Sequence, residues 1–136
     1  MLKILIMLCS FTSVGVFAQE KFSAEFIAGD YLLVGKGVDT EETYSGNVSI
    51  YFDNGLKVKR IINGNTVVGV ATFEPVLNGS SKALRIRFSE QKVDYEETCL
   101  WASDLDNYAR ISCYLYSPNK QTDNPGLEVL FIDHGK

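Results

Sequence analysis

Histidine and tryptophan each occur once in the 136 residues, and cysteine and proline three times each. With a single His, no CxxC pair and no HxxxH spacing, too few donors are present to build a tetrahedral zinc site. Cations are also short: 13 Lys and Arg stand against 17 Asp and Glu, a net charge of −4. That balance argues against nucleic acid as a partner, because such binders carry the cations that displace phosphate counterions. Long helical periods, internal repeats, low-complexity tracts and linkers are missing, so crossover connections and a parallel sheet are not expected. No catalytic motif appears, and nothing calls for a cofactor. Glu96 and Glu97 are paired carboxylates, but neighbours on a strand point to opposite faces and cannot share one substrate. The chain therefore does not read as an enzyme. What remains is 46% hydrophobic and 12% aromatic, too apolar for disorder and too short for two ordinary cores.

The first 18 residues, MLKILIMLCSFTSVGVFA, stand apart from that domain. Lys3 precedes an apolar run from Ile4 to Leu8, which smaller residues continue to Phe17. The run is too short and too interrupted to span a bilayer. Val16 and Ala18 supply small side chains where a signal peptidase reads, predicting cleavage of residues 1–18 before Gln19. A buried first strand is the competing reading. Cys9 follows Leu8, where a lipid-anchored cysteine needs a small residue, so no lipoprotein anchor is expected. The domain would then be residues 19–136 of a periplasmic or secreted protein. Removing Cys9 leaves Cys99 and Cys113, and an even pair in an exported chain is most simply a disulfide. A reactive thiol is the alternative, without a histidine-rich setting, since His134 lies near the chain end.

Residues 21–29 (KFSAEFIAG) fit a short helix or an initial strand. Beyond them, β-rich runs alternate with turn signals and predict strands near 29–37, 43–52, 56–62, 65–73, 82–89, 92–101, 108–116 and 126–133, the pattern of an all-β barrel or an antiparallel sandwich. Asp53-Asn54-Gly55 fits a three-residue loop that sets Phe52 against Leu56, Ile50 against Val58 and Val48 against Arg60. A two-residue turn at Glu90-Gln91 would set Phe88 against Val93 and Ile86 against Tyr95, with Arg87 opposite Asp94 and Arg85 opposite Glu96 on the other face. Alternation places Val93, Tyr95, Cys99 and Trp101 on one side, as it does Ala109, Ile111, Cys113 and Leu115. Pairing Cys99 with Cys113 joins those apolar faces.

Gly29-Asp30-Tyr31, Gly35, Tyr44-Ser45-Gly46-Asn47-Val48-Ser49-Ile50, Asn63-Gly64, Gly69 and Leu84-Arg85-Ile86-Arg87-Phe88 together resemble small secreted bacterial calycin-like proteins, relatives of the lipocalins and avidins. The resemblance covers about the first half of the mature chain. It departs at Tyr31, which stands where lipocalins carry Trp. It implies an eight-stranded antiparallel up-and-down barrel with a cavity or a binding rim, and no reaction.

Two charges break apolar strand faces. Glu97 alternates with Tyr95 and Cys99, and Arg60 with Val58 and Ile62. Ionised groups are rarely buried unpaired. Either the two face a polar lumen, orienting a small ligand among Tyr44, Tyr95 and Trp101, or they sit at a bulge or rim and reach water. Lys57, Lys59, Arg85 and Arg87 could form a basic stripe, but facing acids favour a solvated charge ladder. Asp104–Asn107 offers carboxylates without the Gly and distal Glu of a calcium loop. Two functions follow as expectations. One is a binding protein for a small apolar or amphipathic ligand. The other is a module engaging a secreted protein, as bacterial lysozyme inhibitors do, through Ser-Gly loops at 44–46 and 78–81.

Overall fold

The computed structural model describes residues 14–101 and 109–135. The leader up to residue 13, with Cys9, and the Asp104–Asn107 turn lie outside the described residues. A helix, α1 (Val14–Ile27), precedes eight strands: β1 (Gly29–Lys36), β2 (Thr43–Phe52), β3 (Leu56–Ile62), β4 (Asn65–Val76), β5 (Ser81–Glu90), β6 (Val93–Trp101), β7 (Ile111–Tyr116) and β8 (Gly126–Ile132). Each strand pairs antiparallel with the next, and β8 returns to β1 from Tyr31↔Ile132 to Lys36↔Leu127, closing an up-and-down barrel. That closing seam removes the sheet edges a sandwich would leave.

Alternation decides which side chains fill the barrel. Tyr31, Leu33, Val48, Ile50, Val58, Leu84, Ile86, Ile111 and Leu130 are buried inside it. Outward, Lys59 is exposed, and Arg87 joins Glu74 at 2.5 Å and Glu96 at 2.7 Å, the solvated ladder expected of the basic stripe. The β2–β3 hairpin has the expected register, Phe52↔Leu56, Ile50↔Val58 and Val48↔Arg60. Asn63 and Gly64, both at positive φ, turn β3 into β4, the type of two-residue loop that matches strand twist.

The β5–β6 hairpin corrects the sequence reading. Its turn is Gln91-Lys92, not Glu90-Gln91, and both residues adopt positive φ. Phe88 therefore faces Tyr95, Ile86 faces Glu97 and Arg87 faces Glu96. The slip is two residues, so every side chain keeps its face. Neither turn residue is Gly or Asn, and that is why composition did not mark the turn.

Residues 21–27 belong to α1 rather than to a strand. The helix packs by its C-terminal end: Ala24 and Ile27 are buried, and the Ile27 carbonyl accepts from the Tyr31 hydroxyl at 2.6 Å. Glu20 meets Lys82 at 2.6 Å, and Arg110 donates to the Phe26 carbonyl at 3.2 Å while lying over its ring. The helix thus stands at the end of the barrel that carries the 53–55 and 77–80 turns. The loops 37–42, 63–64, 91–92 and 117–125 share the opposite end, which forms the mouth.

Candidate ligand site

Arg60 lies on β3 between Val58 and Ile62 and points inward, 4% exposed. Inside, it meets two carboxyls. Its Nη1 donates to Glu97 Oε1 at 2.9 Å and to Glu128 Oε2 at 2.7 Å, and its Nη2 donates to Glu128 Oε1 at 2.7 Å. Both acids are 0% exposed. The Phe88 ring covers the guanidinium, with its centroid 4.2 Å from Cζ. Tyr44 completes the group by donating its hydroxyl to Glu128 Oε1 at 2.5 Å. Gly35 permits that reach, since a Cβ there would come within 2.6 Å of the Tyr44 ring.

The two carboxyls are not equivalent. Burial alone would raise Glu128, but hydrogen bonds to Arg60, Glu97 and Tyr44 and the Arg60 charge together outweigh it and bring its pKa down to about 2. Burial, and then the charge on Glu128, push Glu97 well above the ordinary carboxylate range, against the pull of Arg60. Its second oxygen, Oε2, receives no hydrogen bond, where an ionised carboxylate would be most costly. Burial and the adjacent Glu128 charge likewise raise the Tyr44 phenol. Arg60 thus holds the charge of Glu128, and the same surroundings favour the protonated form of Glu97.

A stability profile follows from that assignment. A carboxyl raised in the folded state contributes stability below its unfolded pKa and loses it as pH rises through the folded value. Above the unfolded glutamate value of about 4.3, Glu97 should therefore remove up to about 1.4 kcal/mol per pH unit until it ionises in the fold. Glu128 acts in the opposite sense: its contribution is present above the unfolded value and is lost as pH falls towards about 2. Urea unfolding at pH 5, 6, 7 and 8 should show stability declining with pH in the wild type. Glu97→Gln should flatten the profile, and an equal slope in both proteins would mean that Glu97 is already ionised.

Above Arg60 a cavity of about 330 Å³ opens at the mouth, walled by Tyr44, Ile62, Phe88, Val93, Tyr95 and Leu115, with Asn65 and Glu90 among its polar groups. Phe88 and Tyr95 stack at 5.4 Å. The rim is held by hydrogen bonds rather than left to loop flexibility. Asp39 Oδ1 accepts from the N–H groups of Asp123 and Asn124 at 3.0 and 2.7 Å, tying loop 117–125 to loop 37–42. Ser117 Oγ and Asn119 Nδ2 fasten the same loop to Asp94 on β6.

The expected site residues are thus divided. Arg60, Tyr44 and Tyr95 meet at the mouth cavity, and Glu97 lies beneath it on Arg60. Trp101 faces inward as expected but at the far end, against Phe73 at 4.8 Å and beside α1. Arg60 and Glu97 are in the lumen and not at the rim, because β3 and β6 carry them at mid-length. Sequence reasoning missed Glu128. The signal was there: it alternates with Gly126 and Leu130 on β8 just as Glu97 does on β6. The Ser-Gly loops also change place. Tyr44-Ser45-Gly46 lies within β2, while residues 78–81 lie at the end opposite the mouth.

Cys99 and Cys113 face each other across β6 and β7 and form the disulfide, buried in the core. A Glu97 carboxylate oxygen and both sulfurs lie within 4.8 Å of one another. The sulfurs are bonded to each other, so neither is a thiolate able to ligate a metal. No protein-family profile matches the chain, and neither does any curated protein.

Proposed function

We propose that this is an exported, non-enzymatic binding protein that takes a small apolar or amphipathic ligand into the mouth of its barrel. The observation that carries the reading is the cavity of about 330 Å³ above Arg60. Its aromatic and aliphatic side chains stand among a larger polar surface from Arg60, Asn63, Asn65, Glu90 and Gln91, a mixture that suits an amphipathic molecule. Its rim is held in place by the Asp39 and Asp94 hydrogen bonds, which limits the ordering cost of binding. Export is supported by the hydrophobic leader and by a disulfide compatible with an oxidising compartment. The contacts that dock α1 come from Glu20, Ala24, Phe26 and Ile27, all beyond the expected cut.

Titration with an uncharged, environment-sensitive dye tests the reading. Val93 lies at the mouth and half-buried, so Val93→Trp should fill the cavity without disturbing the core. Dye emission should rise on binding the wild type, and affinity should fall at least ten-fold in Val93→Trp. Emission from Trp101 in the wild type should stay unchanged, because it sits at the other end. Equal dye binding by both proteins would remove the mouth from the account.

A further inference from the structure

We infer that the mouth cavity selects neutral amphipathic molecules, such as a medium-chain alcohol or ester, and excludes the free carboxylates that an arginine would ordinarily attract. The inference rests on the binding reading above and adds the chemistry of the ligand head group. Arg60 is committed: two carboxyls already face its guanidinium, and Phe88 covers the ring side. A ligand carboxylate would be a second anion, beside Glu128, around one cation. It would enter a pocket whose floor is the buried Arg60–Glu128 pair, with Glu90 lining the same cavity. Like charges held close in such surroundings are strongly disfavoured.

A neutral oxygen meets no such repulsion. A guanidinium carries five N–H groups, and the carboxyl contacts use two on Nη1 and one on Nη2. Nε–H and the second Nη2–H are left to donate to a hydroxyl or carbonyl oxygen. Asn65 and Tyr95 line the same space and add further polar partners. At about 30 Å³ for each water-sized group, the cavity accommodates roughly ten non-hydrogen atoms, the size of an eight-carbon chain with a head group.

The test is calorimetric titration at pH 7 with 1-octanol, octylammonium and octanoate, on the wild type and on Val93→Trp. Octanol should bind at least ten-fold tighter than octanoate. Octylammonium should fall between them, since the surplus charge around the cavity is acidic. Val93→Trp should lose octanol. Octanoate binding as tightly as octanol would overturn the inference while leaving the mouth as a binding site. Two ions bound equally weakly would overturn it too, because ordinary desolvation of any charge would then set the preference. Binding of none of the three, or equal octanol binding by the filled variant, would bring down the binding reading itself.

Discussion

Arg60→Met should lower the free energy of unfolding by about 3–5 kcal/mol, the cost of leaving a buried carboxylate without its cation. In that variant Glu128 loses two charge-assisted contacts and keeps the Tyr44 hydroxyl, while Glu97 loses one. The acid partners should respond unequally. Glu97→Gln replaces a neutral group by a near-isostere and should cost less than about 1 kcal/mol at low pH, within the range of one neutral hydrogen bond. Glu128→Gln should fall between the two. With Glu128 gone, Glu97 no longer feels its charge and can ionise to take its place beside Arg60. The double change Glu97→Gln with Glu128→Gln removes that reserve and should cost more than the two single changes added together. Urea unfolding of all five proteins at pH 5.5 measures each term. Strict additivity of the two glutamate changes would falsify the reserve role.

Replacing both cysteines by alanine should lower stability by about 2–3 kcal/mol with strand content unchanged. The bridge spans a sequence separation of 14, for which the chain-entropy estimate is about 3 kcal/mol. The strands it joins are also paired directly by the barrel, from Glu96↔Tyr116 to Trp101↔Ile111. The bridge therefore reinforces a pairing that already exists, and the barrel should remain folded without it. Intact mass of the exported protein should show an N-terminus at Gln19 and a gain of two hydrogens on reduction. Unfolding of the double variant at room temperature, or a loss under about 1 kcal/mol, would contradict this account.

Much of the barrel was legible because a strand's period of two is simple. Alternation alone puts Arg60 and Glu97 inward and brings Cys99 opposite Cys113. It carries no information about height along the barrel axis, and there the reading failed. Tyr44 and Tyr95 begin strands at the mouth, whereas Trp101 ends β6 at the other end. The three aromatic residues share one inner surface but belong to two places, Tyr44 and Tyr95 at the mouth and Trp101 beside α1. The β5–β6 turn failed for a different reason. A two-residue slip preserves the hydrophobic faces, and the charge pairs favoured the wrong register: that one opposes two of them, whereas the observed one opposes Arg87 to Glu96 and sets Arg85 against Thr98. Glu128 went unnoticed because β8 has no cysteine or tyrosine to draw attention to its inner face, although the alternation that exposed Glu97 applies equally there.

The seam between β1 and β8 has a practical corollary. Asp133 N–H donates to the Asp30 carbonyl at 2.9 Å, so the first strand begins where the last one ends, at the pole away from the cavity. A peptide joining the end of β8 to the start of the mature chain, whose helix docks at the same pole, would leave every rung of the ladder and the α1 contacts in place. New chain ends could then be opened at Gln91-Lys92, an exposed turn between two strands that the barrel pairs directly. Tags or surface tethers placed at the native seam would, by the same geometry, present the cavity outward to whatever it meets.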